Sequence, residues 1–401
     1  MPLSSVVGAQ SIVKPGVCTS TTRPASPFDG QVIYMTDVDQ TAVWDGSAWV
    51  GIERSRDRNV IINGAMQVAQ RGTSVSSITT AAIHTADRWL LNISSAGTWT
   101  QSIESDGPTG SGFRKSLKML CTTADASLSA SDYMLLVTRL EGQNLQHFLK
   151  GAASAKQFSL SFWVKSNVTG TFITELYDED NARSVSASYT VSASATWEKK
   201  TIILPADITG AFDNDNARSL EVNFWLAVGS TFSSGTLATT WGSNASANRV
   251  VGQTNLAAAT SNYWQITGVQ LEAGSVATPF EFEDYGTTLA KCQRYYWRAT
   301  NDGSTNYNRY GVGGFNAGNS AIVFVQNPVR MRVAPTSLEY ASLAVWDYVT
   351  VIALASITFD GNGSFASTLQ CNLSSGGTLS RPCQLLSNNS SSAYIAFSAE
   401  L

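Results

Sequence analysis

Apolar and polar residues alternate along three segments near the middle of this chain, and this period of two is the strongest constraint on its fold. In 158–164, 185–191 and 220–226 every second residue is apolar, and most of the residues between them are Ser, Thr or Asn. Because successive side chains of a β-strand point to opposite faces, each segment predicts a strand with one buried face. Turns rich in Gly, Asn, Ser and Asp separate the segments, with no useful length of helical periodicity between them. The pattern therefore predicts an all-β protein whose central body is a jelly-roll-like antiparallel β-sandwich.

Changes in local composition and in the apolar pattern divide the chain into three predicted parts. Residues 1–57 are rich in turn residues and are predicted to form a small N-terminal β-module, ending in a charged stretch, 53–58, that is typical of a solvated linker. The alternating strands fall within 58–285, the predicted central sandwich. After a short helix predicted over 288–296, strands resume, so 286–401 is predicted to form a smaller C-terminal β-sandwich.

Two short motifs predict local backbone geometry. Asp45-Gly46 lies between Trp44 and Trp49, and Asp-Gly flanked by apolar residues is a strong signal for a β-hairpin. Farther along the chain, Gly268 interrupts the alternation of an otherwise regular strand, which predicts a β-bulge. Both features belong to antiparallel sheets and agree with the all-β prediction.

The low content of charged residues excludes several classes of partner. Only 14% of the residues are charged, against about 25% in an ordinary soluble protein, and the net charge is −4. Such a chain lacks the basic surface that follows a nucleic-acid backbone, so no nucleic-acid partner is predicted. The longest apolar stretch, 349–357, is far shorter than the roughly 18 residues of a membrane span, so no membrane insertion is predicted. Hydroxyl groups, from 51 Ser and 39 Thr, must supply much of the polar surface.

The sequence offers no recognisable machinery for catalysis. Five cysteines are widely scattered without a Cys/His cluster, which argues against a zinc site. The two histidines, His84 and His147, do not belong to any nucleophile or metalloprotease motif. We therefore predict no cofactor and no catalytic residue, and a protein that is not an enzyme.

Two acidic segments, 178–184 and 213–219, are near copies of each other. The favoured interpretation is a solvated turn between strands, stabilised by hydrogen bonds from its Asp and Asn side chains. Two alternatives remain open: a calcium site, because calcium takes hard oxygen ligands, and a pair of glycosidase carboxylates. Neither copy has the closing Glu of a twelve-residue calcium loop, so no metal site is predicted. The residues that would supply calcium ligands are Asp178, Asp180, Asp213 and Asp215.

Two tryptophans are predicted to lie on the polar faces of their strands. Trp163 and Trp225 fall between the apolar residues of 158–164 and 220–226, so both point away from the predicted core. A large aromatic side chain on an outer face needs a partner. That partner is a neighbouring protomer, a covering loop or a sugar ring stacked on the indole, and the two residues are therefore candidates for glycan binding.

Several segments resemble tail-fibre and related structural proteins of tailed bacteriophages. The first is Gly30-Gln-Val-Ile-Tyr together with Trp44-Asp-Gly-Ser-Ala-Trp-Val50, and the second is 59–72 followed by Thr85-Ala-Asp-Arg-Trp89. The most specific is Ile266-Thr-Gly-Val-Gln-Leu-Glu-Ala-Gly-Ser-Val-Ala-Thr-Pro-Phe-Glu281, which continues to Lys291-Cys-Gln-Arg-Tyr-Tyr296. The last hundred or so residues show no matching motif.

This resemblance implies a virion structural protein, commonly a homotrimer, with a carbohydrate-binding-module-like sandwich. On this hypothesis the protein is a tail fibre assembled in the host cytoplasm, the N-terminal module binds other virion tail proteins, and the fibre attaches to a host surface glycan or another receptor. Two alternatives remain open: a capsid or head fibre or decoration protein without receptor binding, and a polysaccharide depolymerase spike.

The loops of 286–401 indicate which part would face the receptor. They are rich in Gly, Asn, Ser and Tyr, residue types that give recognition loops adaptable polar contacts and aromatic anchors. We therefore predict that the C-terminal part is the receptor-facing tip. Its candidate contact residues are Asn306, Tyr307, Asn308 and Tyr310.

Overall fold

The computed structural model describes residues 15–37, 40–51, 58–301 and 307–401. In these ranges the chain forms 25 strands, a single α-helix and several short 3₁₀ turns. The all-β class predicted from the alternating pattern is confirmed.

The N-terminal strands form a small sheet of their own. Asp45 closes its hairpin, because the carboxylate Oδ1 accepts hydrogen bonds from the backbone N–H groups of Ser47 at 2.8 Å and Ala48 at 2.7 Å. The predicted hairpin is confirmed, while most of the charged stretch 53–58 lies outside the described residues. In spatial order the strands are β1 (Gly16–Cys18), β2 (Val32–Met35), β3 (Gln40–Trp44) and β4 (Trp49–Gly51), with β1 parallel to β2 and the other pairs antiparallel.

Two six-stranded antiparallel sheets form the central sandwich. In spatial order, sheet I consists of β13 (Glu198–Leu204), β10 (Phe158–Ser166), β16 (Tyr263–Ala273), β8 (Ser116–Thr123), β7 (Thr98–Glu104) and β5 (Ser74–Ile78). In spatial order, sheet II consists of β15 (Gly242–Ser243), β12 (Arg183–Val191), β11 (Gly170–Asp178), β14 (Arg218–Val228), β9 (Tyr133–Glu141) and β6 (Leu90–Ser94).

The alternating apolar residues meet between the two sheets. Phe162 of sheet I and Phe224 of sheet II are both fully buried, and their ring centroids lie 5.0 Å apart in an edge-to-face contact. Phe148, from the loop after β9, stacks on Phe158 at 4.4 Å and closes one end of the core. The period of two therefore places one continuous apolar layer inside the sandwich.

The predicted bulge at Gly268 is present in β16. The register with β10 shifts between Ser161 and Trp163, so that two residues of β16 face one of β10. Gly268 has a φ of +63°, and a Cβ atom there would lie 2.6 Å from the ring of Phe113. Only glycine satisfies both requirements at this position.

The helix between the sandwich and the C-terminal part, α1, spans Tyr285–Gln293. Both its first and its last residue lie three positions before those of the predicted helix, 288–296. Asp284 sets its start, because its carboxylate accepts a hydrogen bond from the N–H of Thr287 at 3.0 Å. The sequence prediction followed only the apolar spacing and missed this N-cap.

An ion pair with a buried carboxylate, here called the joint, fastens the segment after α1 to the sandwich. Glu141, the last residue of β9, is fully buried and accepts hydrogen bonds from Arg294 at 2.9 and 2.8 Å and from the hydroxyl of Tyr295 at 2.5 Å. The guanidinium of Arg88 lies 3.5 Å from the centre of the Tyr295 ring. The residues Lys291–Tyr296 that resemble phage structural proteins thus connect two parts of the molecule.

Another segment with that resemblance is organised around Asn63. Its side chain donates hydrogen bonds to the carbonyls of Val68 and Asp87 and accepts from the N–H groups of Gln67 and Val68, at 2.8 to 3.0 Å. A buried amide with all these partners folds 59–72 against 85–89. This motif has a structural role.

The C-terminal part differs from the predicted smaller sandwich. A three-stranded antiparallel sheet accompanies a closed six-stranded barrel. Register shifts in β18 and β22 let these strands bend far enough for the barrel to close, which the strand pattern alone does not reveal. The separate sheet is β17 (Tyr296–Thr300), β25 (Tyr394–Ser398) and β20 (Ser337–Ala341). The barrel is β18 (Arg309–Ala317), β19 (Ser320–Gln326), β23 (Ala366–Leu373), β22 (Val351–Asn362), β21 (Leu343–Trp346) and β24 (Pro382–Ser387).

We predict that Gly268→Ala destabilises the sandwich. The methyl group forces both a left-handed backbone on alanine and a clash with Phe113, so the free energy of unfolding should fall by about 1–3 kcal/mol in a urea titration. Gly242→Ala is the matched control, because no atom lies within 4 Å of its added Cβ. Equal losses in the two variants would contradict the role of the bulge.

We also predict that the joint stabilises the protein in a pH-dependent way. Burial raises the pKa of Glu141, but hydrogen bonds from Arg294 and Tyr295 outweigh it and hold the pKa below the usual value of 4.5. Because folding lowers this pKa, the ionised pair stabilises the native state at neutral pH. That contribution disappears as falling pH protonates the carboxylate.

Glu141→Gln should therefore lose about 3 kcal/mol of unfolding free energy at pH 7. The gap to the wild type should narrow below pH 4.5, measured by denaturant titrations across pH. Glu283→Gln, which disrupts the pair between Glu283 (26% exposed) and Lys291 (34% exposed), is the control and should cost less than about 1 kcal/mol. A gap that stays constant with pH would exclude the ionised pair as its source.

Candidate functional site

A cleft of about 310 Å³ lies on the outer face of sheet II. The alternation that buries Leu136, Leu176 and Phe224 in the core turns the intervening residues of β9, β11 and β14 outwards. Aromatic, charged and amide side chains share the walls. The residues that line the cleft are Asn92, Tyr133, Leu135, Arg139, Tyr177, Glu179, Arg218, Glu221, Trp225, Phe232, Asn244 and Arg249.

The segment 229–250, here called the covering loop, folds back from the end of β14 over part of this face. It is tied to β12 by a hydrogen bond from the N–H of Ser186 to the carbonyl of Ala238 at 2.7 Å. Phe232 of the loop lies 5.7 Å from Trp225, ring centre to ring centre, in an apolar cluster separate from the sandwich core. Trp225 is consequently only 2% exposed. Of the three partners considered for Trp225, the covering loop is the one observed. Its indole is therefore not open for a sugar ring to stack on.

A buried carboxylate fixes the floor of the cleft. Glu175 is fully buried and accepts two hydrogen bonds from Arg249, at 2.7 and 2.8 Å, and one each from Trp225 and Asn223, at 3.1 Å. Burial lowers the pKa of Arg249, but the charge of Glu175 outweighs it and holds the pKa above its usual value. The guanidinium stays charged and lies between the rings of Tyr177, at 5.4 Å, and Trp225, at 5.1 Å.

A second set of ion pairs lines the cleft. Arg139 donates to Glu221 at 2.9 Å, and Arg218 donates to both Glu221, at 3.2 Å, and Glu179. Arg139 also donates to the carbonyl of Leu401 at 2.6 Å, so the C-terminal part contacts the cleft wall. Both carboxylates that line the cleft are therefore paired with arginines.

Partly buried tyrosines supply the remaining surface. Tyr133 lies 5.6 Å from Phe232 in an edge-to-face contact, and its hydroxyl donates to the side chain of Asn92 at 3.4 Å. Burial raises the pKa of Tyr177 above its usual value of 10.0, and its protonated hydroxyl can donate a hydrogen bond. Flat apolar rings beside amides, hydroxyls and guanidiniums suit a ligand that is itself both ring-shaped and polar.

The acidic turns are occupied by contacts within the chain. Asp178 is buried with Lys150, whose Nζ lies 2.5 Å from its carboxylate; burial raises the pKa of Asp178 although Lys150 opposes the shift. Asp180 accepts a hydrogen bond from the N–H of Asp213, and Asp215 accepts one from the N–H of Ala217, both at 2.9 Å. Among the residues that the structure describes, no group of three or more His, Cys, Asp or Glu is placed to hold a metal ion.

The four C-terminal candidates do not form one surface. Tyr307 is 39% exposed, whereas Tyr310 packs against the barrel core and donates its hydroxyl to the carbonyl of Ala393 at 3.3 Å. The side chain of Asn308 donates to the carbonyl of Thr300 at 3.5 Å. Asn306 lies outside the described residues. Tyr310 is thus a core contact, because its position in β18 turns the ring inwards.

The two candidate tryptophans belong to different faces. Trp163 lies on β10 in sheet I, in register with Lys199 and Thr267, and is partly exposed. Trp225 lies on β14 in sheet II. They cannot contribute to one site, since the sandwich core separates the outer faces of the two sheets.

Sequence reasoning missed the cleft residues Tyr133, Arg139, Tyr177 and Arg249. The first two had little signal in the sequence, because Met134, Leu135, Leu136 and Val137 are consecutive apolar residues that are all buried, so 133–141 does not alternate. Arg249 had no signal, because it reaches the cleft from an irregular loop.

Comparisons with known proteins give weak likenesses. No protein-family profile and no curated protein sequence matches this chain. Among solved structures, the enzymatically active domain of tailspike protein 4 from bacteriophage CBA120 is 13% identical, with a TM-score of 0.29, over 54% of this chain and 21% of the tailspike chain. This chain therefore spans about a fifth of the tailspike's length.

Carbohydrate-binding modules are also among the similar structures. The family 61 module TmCBM61, in complex with β-1,4-galactotriose, is 10% identical with a TM-score of 0.28, over 54% of this chain and 99% of that module. The family 11 module of the cellulase Lic26A-Cel5E from Clostridium thermocellum is 14% identical with a TM-score of 0.26, over 49% of this chain and 97% of that module.

In the described ranges, no helix is long and apolar enough to cross a membrane.

We predict that Glu175 is essential to the integrity of the cleft. Glu175→Gln leaves the Arg249 guanidinium, which is only 15% exposed, without its counter-charge. The free energy of unfolding should fall by about 3 kcal/mol, measured by chemical denaturation. Glu283→Gln removes the more exposed pair with Lys291 and should cost less than about 1 kcal/mol. If Glu175→Gln leaves the free energy of unfolding unchanged, the ion pair with Arg249 does not stabilise the cleft.

Proposed function

We propose that the cleft on sheet II binds a saccharide, and that the chain is a bacteriophage tail-fibre protein that uses this binding to attach to the host cell surface. The protein would act in the virion as a homotrimer, assembled in the host cytoplasm, with its N-terminal module on other tail proteins. The observation that carries the saccharide proposal is the combination of aromatic rings and paired polar groups in one cleft of about 310 Å³.

The chemistry of the walls supports a sugar ligand. A pyranose has apolar C–H faces and hydroxyls around its edge, so it needs flat rings and hydrogen-bond partners at the same place. Tyr133 and Tyr177 offer partly exposed rings, while Asn92 and Asn244 offer amides. Because the Glu175 network already fixes Arg249 and Trp225, little side-chain ordering remains to oppose binding.

Binding without hydrolysis is the form of the proposal that the charges favour. Glycoside hydrolysis needs one carboxyl that gives up a proton and a second that acts as nucleophile or base. The two carboxylates of the cleft, Glu179 and Glu221, share Arg218, and Glu221 also pairs with Arg139. Both carboxylates therefore already accept hydrogen bonds from arginines of the chain, which is the arrangement of structural ion pairs rather than of a catalytic pair of carboxyl groups.

The tail-fibre part of the proposal rests on the sequence segments that resemble phage structural proteins. Two of these segments have identifiable structural roles, in the Asn63 turn and in the joint at Glu141. A hydroxyl-rich surface with few charges also suits many copies placed side by side, because neighbouring copies repel each other weakly.

The cleft predicts a specific mutational result. In a glycan array followed by calorimetry on the best binder, Tyr177→Ala should weaken the affinity by about tenfold, since it removes one stacking face and one hydroxyl. Tyr285→Ala, which removes an exposed tyrosine on α1 outside the cleft, should bind like the wild type. Equal affinity for all three proteins would exclude this cleft as the binding site.

Two further measurements separate the rival functions. Purified protein that blocks phage adsorption to host cells, while Tyr177→Ala does not, would support attachment. Protein that binds no host glycan and does not compete with adsorption would favour a capsid fibre or decoration protein. Release of reducing ends from host polysaccharide would favour a depolymerase.

A further inference from the structure

A pair of aromatic rings stands on the outside of the barrel, at the turn between β21 and β22. Trp346 ends β21, and Tyr348 follows within the turn with 49% of its surface exposed. Their ring centroids lie 4.6 Å apart at an interplanar angle of 38°. The pair belongs neither to the barrel core nor to the cleft on sheet II.

The backbone is held in an unusual conformation to present this pair. Tyr348 has a φ of +68°, in the left-handed region that bulky residues rarely adopt. The carboxylate of Asp347 holds the turn, since it accepts hydrogen bonds from the N–H groups of Val349 at 3.0 Å and Thr350 at 2.6 Å. Arg381 donates to the same carboxylate at 2.8 Å. Strain that several contacts maintain is a frequent sign of function.

Polar groups are fastened beside the rings. Gln384 on β24 donates from its side-chain amide to the hydroxyl of Tyr348 at 3.2 Å, and its amide oxygen accepts from Nε of Arg309 at 2.8 Å. The guanidinium of Arg309 lies 5.6 Å from the centre of the Trp346 ring and donates to the carbonyl of Tyr307 at 3.2 Å. Arg309, Trp346, Tyr348 and Gln384 thus form one connected group, here called the platform.

Among the described residues, no carboxylate compensates the charge of the platform. In the part of the chain that the structure describes, Arg309 makes no salt bridge with a carboxylate, and Asp347, the nearest acidic residue in sequence to the rings, is paired with Arg381. The whole chain has no lysine after Lys291, so this region carries few cations. An exposed guanidinium next to aromatic rings favours a planar anion attached to an apolar surface.

We propose that the platform binds a pyranose that carries a carboxylate. The sugar ring lies against Trp346 and Tyr348, its carboxylate accepts hydrogen bonds from Arg309, and Gln384 keeps both the Tyr348 hydroxyl and the guanidinium in place. This site is on a different part of the molecule from the cleft on sheet II, and it stands or fails independently of saccharide binding there. It also gives Tyr307, whose carbonyl orients Arg309, an indirect role in recognition.

The test uses the full chain carrying Tyr177→Ala, so that binding in the cleft is already weakened. The probes are oligosaccharides that contain uronic or sialic acid, each with a carboxyl-reduced neutral counterpart, and the affinities are measured by calorimetry. At least one acidic probe should bind about tenfold more tightly than its neutral counterpart. Arg309→Gln should remove that preference, and Trp346→Ala should weaken binding of both forms by about tenfold.

Two matched variants control for charge and for exposed aromatic surface. Arg330→Gln removes another exposed cation of the C-terminal part, and Phe324→Ala removes an aromatic residue on the barrel that is 45% exposed; both should bind like the parent. Tyr348→Asn removes the ring but introduces a residue that tolerates the left-handed backbone. This variant should weaken binding without unfolding the turn. Equal affinity for acidic and neutral probes, equal losses in Arg309→Gln and Arg330→Gln, or no binding of any acidic probe would overturn the proposal.

Discussion

The carboxylate of Glu141 is the constraint on which the arrangement of the other parts depends. It lies at the end of β9, fully buried, and a charge in that environment is tolerated because Arg294, Tyr295 and Gln143 surround it with donors. Two residues earlier on the same strand, Arg139 turns outwards into the cleft and meets the carbonyl of Leu401. β9 therefore carries both the joint and part of the cleft wall, and Leu401 of the C-terminal part contacts that wall through Arg139. A substitution in the joint should therefore alter the geometry of the cleft as well as the overall stability.

The outer face of sheet II is shaped by two large side chains that the covering loop buries. Sheet II places Glu175 and Trp225 on its outer face, and a buried carboxylate or indole N–H needs hydrogen-bond partners. The covering loop and Arg249 satisfy them, and the unfilled space between loop and sheet is the cleft. A cleft built in this way is rigid, since its charged groups already hold each other in position.

Local patterns in the sequence predicted the local structure. The alternation in 158–164, the turn at Asp45-Gly46 and the bulge at Gly268 each depend on a few neighbouring residues, so they can be read without knowing the fold. Features that depend on distant pairing could not be read in this way. The closure of the barrel, the covering loop and the inward position of Tyr310 all follow from which strands meet, and nothing in the strand pattern specifies that. The cleft was missed for the same reason, because Arg249 and Glu175 are far apart in sequence.

The closed barrel has a consequence for association between copies of this chain. An open sheet exposes unpaired N–H and C=O groups along its outermost strands, and these can recruit strands from a neighbouring molecule. In the barrel each of the six strands is paired on both sides, from β18 round to β24 and back. Several apolar residues, Val312 and Phe324 among them, remain on its surface. Because the closed barrel has no free strand edge, its exposed apolar residues do not lead to edge-to-edge aggregation. An open sandwich with the same residues would have such edges.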